Sequence, residues 1–325
     1  MNKLKVHSPF SLAEMQQFVD IAINAAKQAG KYIATYPREQ LKVEHKSAAL
    51  SLSAQVVTQV DRHCEAIILN TLKPLTKQHQ LATLAEENTE GFNLTQHPRC
   101  SCKAFWAIDP LDGTLPFIEG GDGCAVSIAL VNKAGQALLG VCYLPFSNTL
   151  YHSYFNPQSQ QYLSDKQNNL NQPLAFKRND ATPLPGLNAS PLNFYCDRSS
   201  LKLPYFLQLK QQLEQLAEHL GYAELKVISE AGAVVNACSV LEQQHAFYLK
   251  LTKQSEGGGS IWDFAATACI ANGCNAWVSD SYGQALELNN PTSSFMNQKG
   301  VLYASNACLA KQLLALELNQ QFCDI

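Results

Sequence analysis

The sequence predicts a layered α/β fold, with an α+β arrangement in its first half. The first observation is an amphipathic helix pattern with a capping signal, at residues 11–36. The second is a series of three strand patterns joined by short turns, at 125–131, 138–144 and 149–155. The third is an alternation of strand and helix patterns after residue 186. Because helices bury an apolar face against sheets, these patterns together favour alternating layers of helices and sheets.

The first predicted helix has a defined beginning and end. Ser11 and Glu14 form a capping box, apolar residues follow at helical spacing, and Pro37 stops the helix. The stretch at 42–53 is polar and irregular, and it is a candidate mobile loop that contains Lys46. We expect the helix itself to serve packing.

A second helix is predicted to begin near Asp61 and to end at Pro74. Its apolar periodicity runs from Cys64 to Leu72, and proline lacks the N–H that an interior helix position uses. On spacing alone, Asp61 is either a first-turn acid favoured by the helix dipole or a functional group.

Two short apolar runs in the first half are typical of buried strands that end in acids. The run at 81–85 is followed by Glu86 and Glu87, and the run at 105–108 is followed by Asp109 and Asp112. Catalytic groups in α/β proteins often follow buried strands. The alternative for the two glutamates is a pair of solvated loop acids. The three later strand patterns predict an antiparallel meander.

The second half is predicted to alternate strands and helices, with some parallel pairing. Strand patterns lie at 186–190, 225–228, 246–249 and 300–304, and helix patterns lie at 201–220, 231–242 and 308–318. A helix of small residues opens at Trp262 and Asp263, where Asp263 is either a functional acid or a dipole-favoured one. The stretch at 156–186 is rich in Asn, Gln, Asp and Pro and is the candidate subdomain boundary.

Composition excludes several classes of protein. The 325 residues are 46% hydrophobic and 16% charged, which is ordinary for a globular chain, and the net charge of −3 predicts no nucleic-acid polymer or acidic membrane as partner. We expect no signal peptide and no membrane span. The 11 cysteines are scattered and odd in number, which favours reduced residues and a cytoplasmic location. Cys100 and Cys102 lack further ligands at zinc spacing.

The stretch at 106–114, Trp-Ala-Ile-Asp-Pro-Leu-Asp-Gly-Thr, carries the strongest chemical signal. Asp109 and Asp112 lie so close that a cation is needed to offset their repulsion, and oxygen ligands suit Mg²⁺. Pro110 turns the backbone so that the carbonyl of Leu111 can face the same ion. Gly113 permits a close backbone approach, and Thr114 offers a hydroxyl at a possible helix N-terminus, which favours an anion. The alternative is an Asp-Gly turn that Asp109 merely caps.

These motifs resemble the inositol monophosphatase superfamily of Mg²⁺-dependent, lithium-sensitive phosphatases. The resemblance is carried by residues 106–114, by Glu86 and Glu87 upstream, and by Trp262-Asp263-x-Ala-Ala downstream. It spans most of the chain, from the Val-Val-Thr-x-x-Asp segment ending at Asp61 to the helix at Asp263. It implies the layered α-β-α-β-α sandwich of this superfamily and a homodimer.

The resemblance also implies a role for each motif residue. Glu86, Asp109 and the carbonyl of Leu111 would hold a first metal ion, and Asp109, Asp112 and Asp263 a second, with two or three Mg²⁺ ions in all. Asp61, Thr114 and Glu86 would be catalytic. Thr114 and Asp61 would orient and deprotonate the attacking water, and Glu86 would hold the first metal ion. The N–H groups of Gly113 and Thr114 would bind phosphate oxygens. Two such ions clamp the attacking and leaving oxygens of an in-line displacement.

Substrate choice depends on weaker signals. The stretch at 233–238, Ala-Val-Val-Asn-Ala-Cys, is similar to that of the inositol enzymes and implies substrate contacts by Ala233 and Asn236. Glu256 stands where those enzymes keep a glutamate for a substrate hydroxyl, although a solvated loop acid is an equal alternative. The lysine of the related nucleotidases is missing from this stretch. We therefore expect an inositol monophosphate as substrate.

Three alternatives stay open. The first two are a 3'(2'),5'-bisphosphate nucleotidase, which removes a phosphate from 3'-phosphoadenosine 5'-phosphate, and a sugar bisphosphatase. The third is a non-catalytic protein that senses metal and phosphate. In every case we expect an N-terminal subdomain at 1–156 with the antiparallel sheet and the metal site, and a C-terminal subdomain at 157–325 that closes the substrate site.

Overall fold

Two mixed β-sheets and the helices packed on them form the framework of the protein. The structure, a computed structural model, describes residues 6–45, 56–89, 93–167, 173–174 and 190–322. Within these ranges the α-helices are α1 (Leu12–Thr35), α2 (Gln59–His79), α3 (Thr114–Ile118), α4 (Phe206–His219), α5 (Ala233–Glu242), α6 (Ile261–Gly273), α7 (Ala307–Ala315) and α8 (Leu318–Gln321). None of the described helices is long and apolar enough to cross a membrane.

The strands fall into three groups. A short antiparallel pair consists of β1 (Val43–His45) and β2 (Val56–Thr58). The larger sheet contains β3 (Ala82–Ala85), β4 (Ala104–Asp112), β5 (Ala125–Asn132), β6 (Ala137–Leu144), β7 (Thr149–Asn156), β8 (Gln161–Gln167) and β9 (Pro173–Leu174). The smaller sheet contains β10 (Leu192–Tyr195), β11 (Leu225–Ile228), β12 (Ala246–Lys250), β13 (Trp277–Ser279) and β14 (Val301–Ala304).

The larger sheet contains the predicted meander. Its strands follow sequence order from β3 to β9; β3 and β4 are parallel, and the later neighbours are antiparallel. Near the end of β4 the register shifts, because Asp109 pairs with Ser127 whereas Asp112 pairs with Ala125. One extra residue on β4 therefore forms a bulge, which tolerates Pro110 and redirects the neighbouring side chains.

The smaller sheet confirms the predicted parallel pairing in the second half. Its order is β11-β10-β12-β14-β13, with β10 parallel to both β11 and β12. Strand β14 is antiparallel to both of its neighbours. The carboxyl ends of β10 and β12 therefore meet at one edge, where α/β proteins place functional side chains.

Three apolar cores fill the spaces between five layers of helices and sheets, and the middle core extends over both sides of the central helix layer. Helices α1 and α2 cover one face of the larger sheet, where Trp106 is fully buried. The opposite face, which carries Phe105, packs against α5 and α6, and these helices also contact the smaller sheet through Tyr303. The third core lies between the smaller sheet, α4 and α7 and includes Phe247. The prediction of layered α/β architecture is therefore confirmed.

Several boundaries differ from the sequence-based prediction. Pro74 does not end α2, which continues to His79; one missing N–H removes a single hydrogen bond, and packing of the helix outweighs that loss. Most of the expected strand at 186–190 lies outside the described residues, and the described chain that follows contains a strand at Leu192–Tyr195. Strand β8 pairs with β7, so the larger sheet continues beyond Asn156. Lys46 and most of the expected mobile loop lie outside the described residues.

Candidate active site

A cleft of about 790 Å³ lies where the carboxyl end of β4 meets the beginnings of α3, α5 and α6. Of the predicted site residues, those that line it are Glu86, Asp109, Leu111, Asp112, Gly113, Thr114, Ala233, Glu256 and Asp263. Asp61 and Asn236 are not part of its wall, although both contact residues that are. The structure therefore brings together side chains that are far apart in the sequence.

Three carboxylates converge in this cleft. Each of Asp109, Asp112 and Asp263 offers one oxygen, and these oxygens all lie within 4.8 Å of one another. Asp109 and Asp112 are brought to the edge of the sheet by the bulge in β4, and Asp263 lies in the first turn of α6. Asp109 and Asp112 are only 2% and 7% exposed. Such a set of oxygens matches the preference of a hard divalent cation.

Burial and mutual repulsion make this trio unfavourable without a cation. Burial raises the pKa of all three carboxyls. The charge of Glu86 and then that of Asp263 raise the pKa of Asp109 further. Asp112 reaches a pKa of about 8, because burial and the charge of Asp263 outweigh its hydrogen bonds. A bound divalent ion would offset the repulsion and keep the carboxyls ionised.

Both oxygens of Asp112 are held by the first turn of α5. The N–H of Ala233 donates to Oδ1 at 3.0 Å, and the N–H of Val234 donates to Oδ2 at 2.9 Å. Gly232 precedes them, and a Cβ there would lie 2.3 Å from Asp112 Oδ2. Glycine at this position is therefore needed for the close approach of α5 to β4.

The hydroxyl of Thr114 connects the trio to Asp61. Thr114 Oγ1 lies 2.8 Å from Asp61 Oδ1 and 3.0 Å from the carbonyl oxygen of Leu111. The other oxygen of Asp61 accepts the N–H and the hydroxyl of Thr58 at 2.8 and 2.6 Å. Asp61 thus belongs to the capping box of α2 and also contacts Thr114. Burial raises the pKa of Asp61, and its hydrogen bonds oppose that shift.

Gly113 adopts the left-handed conformation that the turn after β4 requires. Its φ is +82°, and a Cβ would lie 2.5 Å from the carbonyl oxygen of Gly123. Only glycine combines this φ with such close packing. The sequence therefore places the backbone of residues 113 and 114 at the cleft.

Glu86 lies in a short 3₁₀ turn, Glu86–Asn88, directly after β3. Both Glu86 and Glu87 line the cleft, but the charge that raises the pKa of Asp109 is that of Glu86. This proximity favours Glu86 over its neighbour as the acid that faces the trio. The turn is tied to Glu65 of α2, which accepts the N–H of Glu87 at 2.8 Å.

Asp263 is oriented by the loop before α6. The N–H of Ser260 donates to Asp263 Oδ2 at 2.6 Å and completes a capping box. The preceding glycines at 257, 258 and 259 all have positive φ, between +79° and +104°. The triple glycine is therefore required by the path of this loop. Glu256 is exposed at its start and lines the cleft.

Asn236 does not offer the direct substrate contact that the sequence suggested. Its side chain is fully buried in α5, and Nδ2 donates to the carbonyl oxygen of Ala231 at 3.2 Å. Ala231 itself lines the cleft. Asn236 therefore supports the loop before α5, because helical geometry turns its side chain back towards that loop.

Sequence analysis missed an ion pair in the wall of the cleft. Lys250 Nζ lies 2.6 Å from Asp197 Oδ2, and the hydroxyl of Tyr248 donates to Asp197 Oδ1 at 2.6 Å. Asp197 lies two residues after the end of β10, and Lys250 ends β12. These two residues could have been identified from their location at the carboxyl ends of strands predicted to pair in parallel, because functional side chains often lie there.

Comparison with known proteins indicates the family and the fold of the chain. The model of the inositol monophosphatase family matches residues 14–321. The chain is 29% identical over 241 residues to the 3'(2'),5'-bisphosphate nucleotidase CysQ of Escherichia coli, which covers 74% of this chain and 82% of the relative. It is 34% identical over 145 residues to inositol monophosphatase 2 of Solanum lycopersicum, which covers 43% and 49%. An IMPase from Thermotoga maritima shares the fold, with a TM-score of 0.64 at 16% identity over 94% and 99% of the chains.

Proposed function

The chain belongs to the inositol monophosphatase family and is a phosphatase, and we propose that it hydrolyses a small phosphate monoester by Mg²⁺-assisted attack of water. The observation that carries this proposal is the convergence of Asp109, Asp112 and Asp263 beside the Thr114–Asp61 hydrogen bond. Oxygen ligands suit Mg²⁺, and the Thr114–Asp61 pair can accept a proton. This combination fits metal-assisted hydrolysis without a covalent intermediate.

Two or three Mg²⁺ ions would be held by the acids of the cleft. Glu86, Asp109 and the carbonyl of Leu111 would form one ion site, and Asp109, Asp112 and Asp263 would form a second. Bound Mg²⁺ would lower the pKa of water and offset charge on the phosphate. The carbonyl oxygen of Leu111 lies 3.0 Å from Thr114 Oγ1. Because the single hydroxyl hydrogen of Thr114 is directed to Asp61 in this arrangement, the carbonyl keeps lone pairs for an ion.

Thr114 and Asp61 would orient and deprotonate the attacking water. The hydroxyl of Thr114 has one hydrogen, and donation to Asp61 leaves its lone pairs free to accept a hydrogen bond from water. The proton would then pass through Thr114 to Asp61, a buried carboxylate whose pKa burial has raised. A raised pKa makes a carboxylate a better base near neutral pH.

The phosphate would lie against the turn after β4. Its oxygens would accept hydrogen bonds from the N–H groups of Gly113 and Thr114. The left-handed conformation of Gly113 brings both groups to the cleft. The first turn of α5 at Ala233 would form the opposite wall. Glu256 would then receive a hydroxyl of the substrate, from its exposed position at the entrance.

An inositol monophosphate is the substrate that the resemblance implies, and a nucleotide bisphosphate is the second candidate. The inositol assignment rests on residues 233–238 and on Glu256, which lines the cleft. The nucleotide candidate is supported by CysQ relatives that cover 74% of the chain, against 43% for the plant inositol monophosphatase. Lithium inhibition, a homodimer and a cytoplasmic location would follow from the same resemblance.

The test is phosphate release from inositol 1-phosphate, fructose 1,6-bisphosphate and 3'-phosphoadenosine 5'-phosphate, each with Mg²⁺ and with EDTA. We expect turnover that depends on Mg²⁺ and prefers the inositol ester. Asp109→Asn is the control, because losing the shared ligand should lower turnover by at least about a hundredfold while the fold is kept. A preference for the nucleotide would select the second candidate, and no release from any ester would refute the proposal.

A further inference from the structure

Glu65 is a buried acid that the proposed chemistry does not use. It lies one helical turn after Asp61 on the same face of α2, and it is only 3% exposed. Residues four apart on a helix point in the same direction. A carboxylate in such a buried position is unfavourable unless hydrogen bonds satisfy it.

Both oxygens of Glu65 bind the same short turn. Oε2 accepts the N–H of Glu87 at 2.8 Å, and Oε1 accepts the side-chain amide of Asn88. These two donors belong to the turn Glu86–Asn88, which follows β3. The buried side chain of Glu65 therefore ties helix α2 to this turn.

The first of these bonds fixes the direction of Glu86. The N–H of Glu87 belongs to the peptide group that joins residues 86 and 87, and a peptide group is planar. Holding this plane fixes the backbone on the carboxyl side of Glu86. Glu86 lines the same cleft as Asp109 and lies near enough for its charge to raise the pKa of that carboxyl.

We propose that Glu65 is a positioning residue that holds Glu86 towards the metal ion of Asp109. The inference rests on the proposed function, because it requires Glu86 to be a metal ligand. It gives α2 two roles at the site, since Asp61 contacts Thr114 and Glu65 holds the turn of Glu86. Groups that orient metal ligands commonly change metal affinity when they are replaced.

The test compares Mg²⁺ binding to the wild-type protein and to Glu65→Gln by calorimetry. Glutamine has nearly the same size, but it loses the charge and presents an amide hydrogen to one of the two donors. We expect the dissociation constant for Mg²⁺ to rise by about tenfold or more. The Mg²⁺ concentration for half-maximal phosphate release should rise in parallel, with a smaller change in KM for the ester.

Asn88→Ala tests the same contact by changing the partner of Glu65 on the turn, where Asn88 is exposed. It removes one of the two donors to Glu65 and disturbs no core residue. We expect a smaller loss of Mg²⁺ affinity than for Glu65→Gln. The double variant should bind no more weakly than Glu65→Gln alone, because both changes break one network.

The matched control is Ile68→Val, a fully buried residue three positions further along α2. It should lower the melting temperature and leave the Mg²⁺ dissociation constant unchanged. The positioning role is wrong if Glu65→Gln binds Mg²⁺ like the wild type, or if Ile68→Val weakens binding equally. A wild-type protein that neither binds Mg²⁺ nor releases phosphate would refute the proposed function, and this inference with it.

Discussion

At the level of single residues, Asp61 belongs to two structures at once. One oxygen completes the capping box of α2 with Thr58, and the other contacts Thr114. The sequence could indicate the cap, because a capping box is a local pattern. It could not indicate the second contact, which joins residues 53 positions apart. Asp61 therefore makes both a capping contact and a contact with a residue of the cleft, and the proposed catalytic role differs from the capping role in what its loss would change.

Asp61→Asn separates the two roles. Asparagine keeps the size of the side chain but loses the proton acceptor, so we expect kcat to fall by at least about a hundredfold. Its amide would also face the donors of Thr58, and we expect the free energy of unfolding to fall by about 1 kcal/mol. Steady-state kinetics and thermal unfolding measure the two effects.

Glu14→Gln is the matched control for this variant. Glu14 occupies the same capping-box position in α1, where it pairs with Ser11 and lies outside the cleft. It should lower stability to a similar extent and leave kcat unchanged. If Asp61→Asn loses no more activity than Glu14→Gln, Asp61 only caps the helix.

At the level of elements, local signals predicted which segments form helices and strands better than where they end. The meander and the capping box of α1 follow patterns within a few residues. Pro74 was predicted to end α2, but the residues after it still pack on the protein: Leu75 lies against the core beneath the larger sheet, and His79 is buried. Strand β8 is polar and partly exposed, so it lacked the apolar pattern of a strand.

The contact between β4 and α5 could not be predicted either. The sequence indicated that Asp112 needs a partner for its charge, but not that the N–H groups of Ala233 and Val234 supply part of it. These groups lie 121 and 122 positions away along the chain. Asp112 is thus oriented by another element, and Gly232 controls the approach of that element.

Gly232→Ala should disturb the metal site through this contact. The backbone conformation of Gly232, φ −66° and ψ 171°, suits alanine, so the effect is steric. The added Cβ would lie 2.3 Å from Asp112 Oδ2, and either the carboxylate or α5 must move. We expect about tenfold weaker Mg²⁺ binding and a loss of about 1–3 kcal/mol in stability, measured by calorimetry and thermal unfolding.

Gly121→Ala is the comparison for this steric effect. The nearest atom to a Cβ there is the carbonyl oxygen of Pro116 at 3.2 Å, which needs only a small adjustment. It should leave Mg²⁺ affinity within about twofold of the wild type. Equal affinity in Gly232→Ala would contradict the steric role of Gly232.

At the level of the whole molecule, the sequence could predict the layers of helices and sheets, but not how deeply the acids of the site are buried. Alternating apolar patterns predict layers because each sheet face must be covered. The positions of the site acids along the chain predict that they follow strands or begin helices. The structure places Asp263 in the first turn of α6, whereas Asp109 and Asp112 lie within the last part of β4, which is longer than predicted. How deeply they are buried depends on packing of all the layers. That burial determines how stability responds to pH and to metal.

Without metal, the buried acids should make the fold less stable as pH rises. The pKa of Asp112 is raised to about 8, so the folded state keeps a proton that the unfolded state releases near its ordinary value of 3.8. In this situation stability falls with increasing pH, by about 1.4 kcal/mol per pH unit for each proton retained. Burial lowers the pKa of three histidines, His97, His152 and His245, from their ordinary 6.5. Because their unfolded forms lose their protons near pH 6.5, these histidines make stability rise with pH only up to about that pH. Between pH 6.5 and 8 the buried acids therefore determine how stability changes with pH.

Removal of metal tests directly whether a bound cation offsets the charge of the buried acids. In EDTA the melting temperature should fall between pH 6.5 and 8, because over this range the folded state still holds protons that the unfolded state has released. With Mg²⁺ fixed at about 100 times its dissociation constant at pH 8, binding adds about 2.7 kcal/mol at that pH. Protons compete with the ion for the carboxyls at lower pH, so the difference between the Mg²⁺ and EDTA melting temperatures should widen towards pH 8. Asp112→Asn is the matched variant: it cannot ionise, so its melting temperature in EDTA should change less over this range. A wild-type melting temperature in EDTA that stays constant or rises with pH would mean that the buried acids are balanced within the protein itself, without a metal ion.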